Sequence, residues 1–295
     1  MNGILLVDKP ADWTSHDVVA KLRGVLGERR MGHSGTLDPM ATGLLVVFAG
    51  RATRAVSFSE NHSKCYEARL RLGLTTDTQD TTGTVLSRCD RRVTRAELEA
   101  VLPQFRGDIL QVPPMYSALK VDGQKLYEIA RRGGEVARQA RPVTIEELTV
   151  LGEADGDYVL RVRCSKGTYI RTLCHDIGAA LGCGAVMTAL RRTMAASFTL
   201  ADCVTIEQAQ QAAQDGVFGT LLRPVETAFC ALPSAALNEK QTKMFLNGVR
   251  LDIGRVACKR TGDTYAVYAH DRRFLGVARE RDGLLCMQKL FTLEV

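Results

Sequence analysis

Three observations predict an α+β fold for this chain. Residues 4–7 (Ile4-Leu5-Leu6-Val7) form a buried-strand run, and a helical stripe of Val18, Val19, Leu22, Val25 and Leu26 follows. Residues 65–72 alternate strictly: Tyr66, Ala68, Leu70 and Leu72 face one way, and Glu67, Arg69 and Arg71 the other. That is the pattern of a half-buried strand in an antiparallel sheet. Beyond residue 234 one helix and several short strand-like pieces make a small β-rich unit.

Taken in order, the first strand ends at Asp8-Lys9-Pro10, Ser15 is the expected N-cap of the first helix, and Gly27 ends it. Arg29-Arg30 lead into Gly32-His33-Ser34-Gly35-Thr36-Leu37-Asp38-Pro39-Met40-Ala41-Thr42-Gly43-Leu44-Leu45, where small residues crowd around one carboxylate. Its glycines permit tight backbone paths, and Pro39 prevents a helix from running through Asp38. Such loops are platforms for chemistry, although the same residues also suit a solvated turn. A strand over 44–48 follows. Residues 75–83 (TTDTQDTTG) read as a polar loop, either solvated or a set of hydrogen-bonding groups.

Thr94 and Glu97 form a capping-box signature, and Pro113-Pro114 forbid an uninterrupted central strand there. Asp122-Gly123 marks a turn before a short helix carrying Leu126, Ile129 and Ala130, stopped at Gly133-Gly134. Strands are expected over 143–150 and 158–164. Thr168 is then placed to cap a helix with Ile170, Leu173, Ile177 and Leu181 on its apolar stripe. Arg171 falls in that helix's first turn, where a cation opposes the macrodipole by a few tenths of a kcal/mol unless an anion faces it. The adjoining amides, Lys166 and Thr168 suit a phosphate. A helix over 205–213 precedes a loop with Pro224 and Pro233, the expected linker, and Asn238 caps a last helix ending at Asn247-Gly248.

The chain has 295 residues, 45% of them hydrophobic, enough for one large domain or two unequal ones. No apolar run approaches the roughly 20 residues that span a bilayer, and residues 1–7 do not look like a signal peptide, so a cytoplasmic protein is expected. The nine cysteines include no C-x-x-C pair and are expected to be buried reduced thiols, not a disulfide framework or zinc site. Formal charge is +6 with a pI near 8.9. Residues 234–295 hold 11 Lys and Arg against 7 Asp and Glu, a surplus of +4 compatible with a polyanionic partner.

These motifs resemble, in order and density, the TruB-type tRNA pseudouridine synthases. The resemblance rests on GILLVDKPADWTSHDVV at the start, GHSGTLDPMATGLL, and KCYEARLRLGLTTDTQDTTG from Lys64. It continues through PPMYSALKVDGQKLYEIARRG from Pro113, CSKGTYIRTLCHDIGAALGCGA from Cys164, and Leu190-Arg191-Arg192-Thr193. It covers most of the first 230 residues. The tail resembles, more weakly, a PUA-like RNA-binding domain through FLNGVRL and FLGVARE. Ala195-Ala196 departs from the family, which often has a Gly after the Arg-Arg pair.

The resemblance implies a pseudouridine synthase fold, a largely antiparallel mixed sheet flanked by helices, over residues 1–233, with the PUA-like unit over 234–295. It implies isomerisation of uridine 55 in the TΨC loop of tRNA, by a monomer, with no metal and no organic cofactor. The reaction breaks a C–N bond, turns the uracil and joins carbon 5 to the sugar; it is redox-neutral and consumes no water. A carboxylate can act as the nucleophile, and Asp38 matches the family's catalytic aspartate. It must stay ionised among phosphates, which a cation within about 4–6 Å favours; Arg171 matches that cation. Tyr66 matches the tyrosine that stacks on the flipped base and assists proton transfer. By the same matching, His33, Tyr169, Leu190 and Asp80 lie at the substrate, and Lys9 and Lys64 are contacts to phosphate or supports of the site. A tRNA-binding folding helper, in which catalysis is secondary, is the alternative.

Overall fold

The computed structural model describes residues 1–59, 62–121 and 123–292. Nine strands make the larger sheet: β1 (Gly3–Lys9), β2 (Met31–Ser34), β3 (Thr42–Ala49), β4 (Lys64–Leu72), β5 (Gly107–Gln111), β6 (Arg141–Ala154), β7 (Asp157–Cys164), β8 (Ala185–Ala195) and β9 (Phe198–Thr199). Their order is β1-β3-β8-β4-β7-β6-β5, with β2 added to β3 and β9 to β8. Every pairing is antiparallel except β3 with β8, which touch through Thr42↔Arg191 and Gly43↔Arg192. The sheet is therefore mixed and largely antiparallel, as the family resemblance implies.

The apolar run of β3 has a simple origin. Leu44, Val46 and Phe48 join one buried cluster, while Leu45, Val47 and Ala49 join another on the opposite face. A strand covered on both sides carries no polar alternation. By contrast, β4 buries Tyr66, Ala68 and Leu70 and leaves its intervening side chains partly exposed, so its alternation survives. The helix Ile170–Ala180 closes this third cluster with Ile170, Leu173, Cys174 and Ile177, the stripe read from the sequence.

The helix caps need two corrections. Thr14, not Ser15, caps Ser15–Leu26, in a capping box with Asp17; the Ser15 hydroxyl instead accepts from the Leu37 amide at 2.9 Å. The N-cap of Ile170–Ala180 is Tyr169, which has no side-chain cap bond, while the Thr168 hydroxyl donates to Ser165 O. Capping boxes form at Thr94 with Glu97 and at Asn238 with Gln241. Residues 75–83 are not a solvated loop. The bridge Asp80↔Met187 and the bonds Met187 N to Gln79 O and Thr81 N to Met187 O sew the segment to β8. Of the expected Asp122-Gly123 turn, Asp122 lies outside the described residues. All nine cysteines are free, but only Cys164, Cys174 and Cys183 are buried, and Cys230 is exposed.

A second, six-stranded sheet spans Ser234–Ala236, Leu251–Asp252, Ala257–Cys258, Thr264–Tyr268, Phe274–Arg281 and Leu284–Leu290. One side has its own core around Phe245, Tyr265, Val267, Leu275 and Leu285. Ala266, Phe274, Val277 and Phe291 instead enter the cluster of Ile4, Leu44 and Phe48, so the two sheets share a core. The Pro224–Pro233 segment is packed and not a loose linker. Arg223 bridges to Ile4, and Phe229, 3% exposed, lies 5.6 Å from Phe274 and 5.3 Å from Phe291 between ring centroids. Phe229→Ala should lower unfolding free energy by about 3–5 kcal/mol, the usual scale for emptying a buried phenyl site, as read from denaturant unfolding. A loss below about 1 kcal/mol would mean that the sheets are not held together there.

Candidate active site

Asp38 stands in the short crossing between β2 and β3, and four ties fix the backbone around it. The Ser15 hydroxyl accepts from Leu37 N, Ala41 N donates to Asp38 O at 3.0 Å, Asp12 N donates to Pro39 O at 2.9 Å, and Lys9 Nζ donates to Pro39 O at 3.0 Å. Lys9 is fully buried, and its remaining protons go to Pro10 O at 2.8 Å and Trp13 O at 2.6 Å. Burial pulls this ammonium down to about 8 against the opposing pull of Asp12 and Asp38. Its three carbonyl acceptors leave no proton for a phosphate, so of the two expected roles, phosphate contact or support of the site, the geometry favours the second: it braces the Asp38 loop from beneath.

Arg171, in the first turn of Ile170–Ala180, meets Asp38 side-on. Nε donates to Asp38 Oδ2 at 2.9 Å and Nη2 to Oδ1 at 3.3 Å. Nη1 donates to Thr78 O at 3.0 Å, and Nη2 also donates to Tyr116 O at 2.8 Å. Asp80 Oδ2 lies 3.7 Å from Nε, while Asp80 Oδ1 accepts from Thr78 Oγ1, Thr82 N and Thr82 Oγ1. The cation that opposed the helix dipole is thus faced by two carboxylates, the condition under which the placement is favourable. Arg171 is 6% exposed and Asp38 36%, so the carboxylate is reachable from solvent while its partner is not.

Tyr66 is 8% exposed and clusters with Leu37 and Leu190, itself 7% exposed. The ring is therefore largely covered by protein and is not an open wall of a cleft. Burial raises the phenol's proton affinity, with the Arg192 charge opposing. Tyr169, half-buried and with its proton affinity also raised by burial, stands two residues before Arg171. His33 belongs to strand β2, not to the loop; its ring stands 5.3 Å from that of His16, edge to face, with Nδ1 buried and unpaired. Lys64 opens β4, donates to His62 O at 3.1 Å, and passes its stem over Gly35. Among the described residues no three His, Cys, Asp or Glu side chains gather as a metal site would require.

Several supports escaped the sequence reading. Gln111, 2% exposed, accepts from Tyr169 N at 2.7 Å and donates to Tyr169 O at 3.1 Å, pinning the start of the Arg171 helix. Tyr116 contributes only a backbone carbonyl, which no side-chain pattern announces. Arg192 is wholly buried, against the usual habit of arginine.

The sequence model of the TruB family pseudouridylate synthase N-terminal domain matches residues 23–170, and that of the tRNA pseudouridylate synthase B C-terminal domain matches 171–230. The chain belongs to the TruB family. A tRNA pseudouridine synthase B of Geobacillus thermodenitrificans is 47% identical over 85% of this chain and 86% of its own. One of Burkholderia mallei is 43% identical over 98% of this chain and 97% of its own. Among solved structures, a chain of an H/ACA RNP bound to a substrate RNA containing 2'-deoxyuridine superposes with a TM-score of 0.77 at 25% identity, covering 99% of this chain and 85% of that one. A chain of a Cbf5-Nop10-Gar1 complex gives 0.78 at 27%, covering 98% and 85%. The pseudouridine synthase fold of this TruB-family chain is thereby established, and no helix among its described residues is long and apolar enough to cross a membrane.

Burial, then the charges of His16 and Arg192, pull His33 from 6.5 to about 4. The folded protein therefore resists protonation that the unfolded chain accepts. Its contribution to stability is whole above pH 6.5 and is lost as pH falls towards 4. Replacing His33 by Gln should flatten that part of the stability–pH curve, with NMR titration of the imidazole as the direct check; an unshifted His33 would contradict the geometry.

Proposed function

We propose that this protein binds tRNA and isomerises uridine 55 of the TΨC loop to pseudouridine, with Asp38 as nucleophile. The observation that carries this reading is the Asp38–Arg171 pair. A reachable carboxylate is gripped at both oxygens by a buried guanidinium, with Tyr66 and Leu190 forming an apolar floor beside it.

The target base is stacked in the tRNA elbow and must be flipped out to react. It then lies against Tyr66, where stacking on an aromatic ring contributes about 1–3 kcal/mol, with Leu190 retaining it once its glycosidic bond is broken. Arg171 aims the Asp38 oxygens; lysine would lack the planar fork that holds both. Asp80, held by Thr78 and Thr82, keeps Arg171 in place on its other side. Tyr169 and His33 line the approach of the RNA, and Lys64 supports the rim. Freed uracil turns, carbon 5 bonds to the sugar carbon, and the carbon 5 proton departs with help from the Tyr66 phenol. Residues 1–233 act as the catalytic unit and 234–295, with their surplus of +4, as a second RNA-binding surface. Because the substrate is tRNA, the protein works in the cytoplasm.

Asp38→Asn should bind a TΨC stem-loop with little change yet form no pseudouridine. The check is single-nucleotide mapping and mass spectrometry of the product beside wild type. Full turnover by the variant would remove Asp38 from this role, and a silent wild type would remove the reaction. Affinity should also fall with salt, with a log–log slope of about 0.7–0.9 per phosphate contacted; a salt-independent binding constant would contradict the RNA reading.

A further inference from the structure

Arg192 is the bulkiest of the fully buried side chains, and no carboxylate lies within ion-pair distance of it among the described residues. Nε donates to Leu44 O at 2.7 Å and Nη2 to Gly35 O at 2.9 Å, and a hydrogen-bonding interaction of the guanidinium with the Tyr66 phenol lowers the phenol's proton affinity. A guanidinium buried without counter-charge is expensive to keep. Joining β8 to β3 does not require it, because backbone pairing already does so at Thr42 and Gly43. The feature that distinguishes this position is its neighbour. Arg192 and Tyr66 are direct partners across the β8–β4 ladder, so their side chains rise from one face with Cβ atoms about 4.5–5.5 Å apart. The guanidinium's charge acts on the phenol, opposing the effect of burial.

We propose that Arg192 is a positioning residue for Tyr66. Anchored on the carbonyls of Leu44 and Gly35, it directs the phenol oxygen toward carbon 5 of the flipped uracil and favours release of the phenol's own proton as that oxygen accepts another. The inference rests on the isomerase reading and deepens it. In the step concerned the C–H bond at carbon 5 breaks, its electron pair forms the carbon 5–carbon 6 double bond, and the pair displaced from carbon 6 goes to N1, which takes up a proton from water. The proton goes to the Tyr66 oxygen, which passes its original proton to water. No redox partner is needed. Asp38 takes no part in this transfer, so Arg192 and Arg171 serve different atoms of the same site.

The test is single-turnover conversion, by the full-length protein, of a TΨC stem-loop whose target uridine carries hydrogen or deuterium at carbon 5. Wild type, Arg192→Lys and Arg192→Met are compared, with circular dichroism and thermal melting reporting the fold. Arg192→Met should convert RNA roughly ten- to a hundredfold more slowly while stem-loop affinity stays within about twofold. Its deuterium isotope effect should rise above that of wild type, because proton removal has become the slower event. Arg192→Lys, retaining charge without the fork, should fall between. If these variants do not fold, Arg192→Gln serves instead: it keeps amide donors on a shorter stem while removing the charge, and the isotope effect should again rise. A slower rate with an unchanged isotope effect, or an unchanged rate, overturns the assignment. A wild type that makes no pseudouridine would instead overturn the isomerase reading, so the two failures are distinguishable.

Discussion

The ion pair between Asp38 and Arg171 is the constraint on which the arrangement depends. It joins the β2–β3 crossing to the first turn of a helix 133 residues further along the chain. Each partner is hard to place without the other. The guanidinium is nearly buried and sits at the positive end of a helix dipole, so it needs anions before it. The carboxylate lies in a loop with only its backbone bound, and the two-point grip fixes its orientation. Gln111 pins the start of the helix, Thr78 and Thr82 hold Asp80 against the guanidinium, and Ser15 and Lys9 hold the loop. These contacts come from five separate stretches of the chain, so the site exists only when the large sheet is complete.

Three buried cations, Arg171, Lys9 and Arg192, lie in this part of the fold, and only Arg171 is paired with the carboxylates Asp38 and Asp80. Lys9 and Arg192 spend their donors on backbone carbonyls instead. Carbonyl oxygens satisfy hydrogen bonding without cancelling the charge, so Lys9 and Arg192 leave a positive field under the site. That field is visible in the neighbours: Arg192 lowers the proton affinity of Lys9 and His33 and opposes the effect of burial on Tyr66. A site of this sign suits a phosphate-bearing ligand, since the cost of burying the cations is met in folding and not at each binding event.

Most of the secondary structure was legible in the sequence because it follows local rules. The alternation of β4, the two-faced apolar run of β3 and the stripe of the Arg171 helix each state their own burial. The two misplaced caps show the limit. Thr14 and Ser15 are equally good caps, and what decides between them is the Leu37 amide, which only the fold brings to Ser15. Residues 75–83 have the composition of a solvated turn, and nothing local tells that β8 will pair with them. Asp38, Tyr66 and Arg171 stand out chiefly through the family pattern; unaided physics supplies a carboxylate in a glycine-rich loop, equally suited to a solvated turn, and a cation at a helix start. The burial of Lys9, Gln111 and Arg192 was not legible because polar side chains are normally exposed, and it is a property of the assembled sheet.

The glycines of the central stretch make the same point in backbone terms. From the sequence they suit close approach by a ligand, but at Gly43 the approaching group is the protein itself. Its φ is +97°, and a Cβ there would meet Arg192 O at 2.3 Å. That near-contact is the parallel junction of β3 with β8, where the two strands pair through Thr42 and Gly43. Leu190 and Arg192 lie on β8, Tyr66 is their neighbour on β4, and Asp38 precedes β3 by four residues. A side chain at Gly43 would wedge the junction open. Glycine is required at that position so that β3 can lie against the Arg192 backbone of β8.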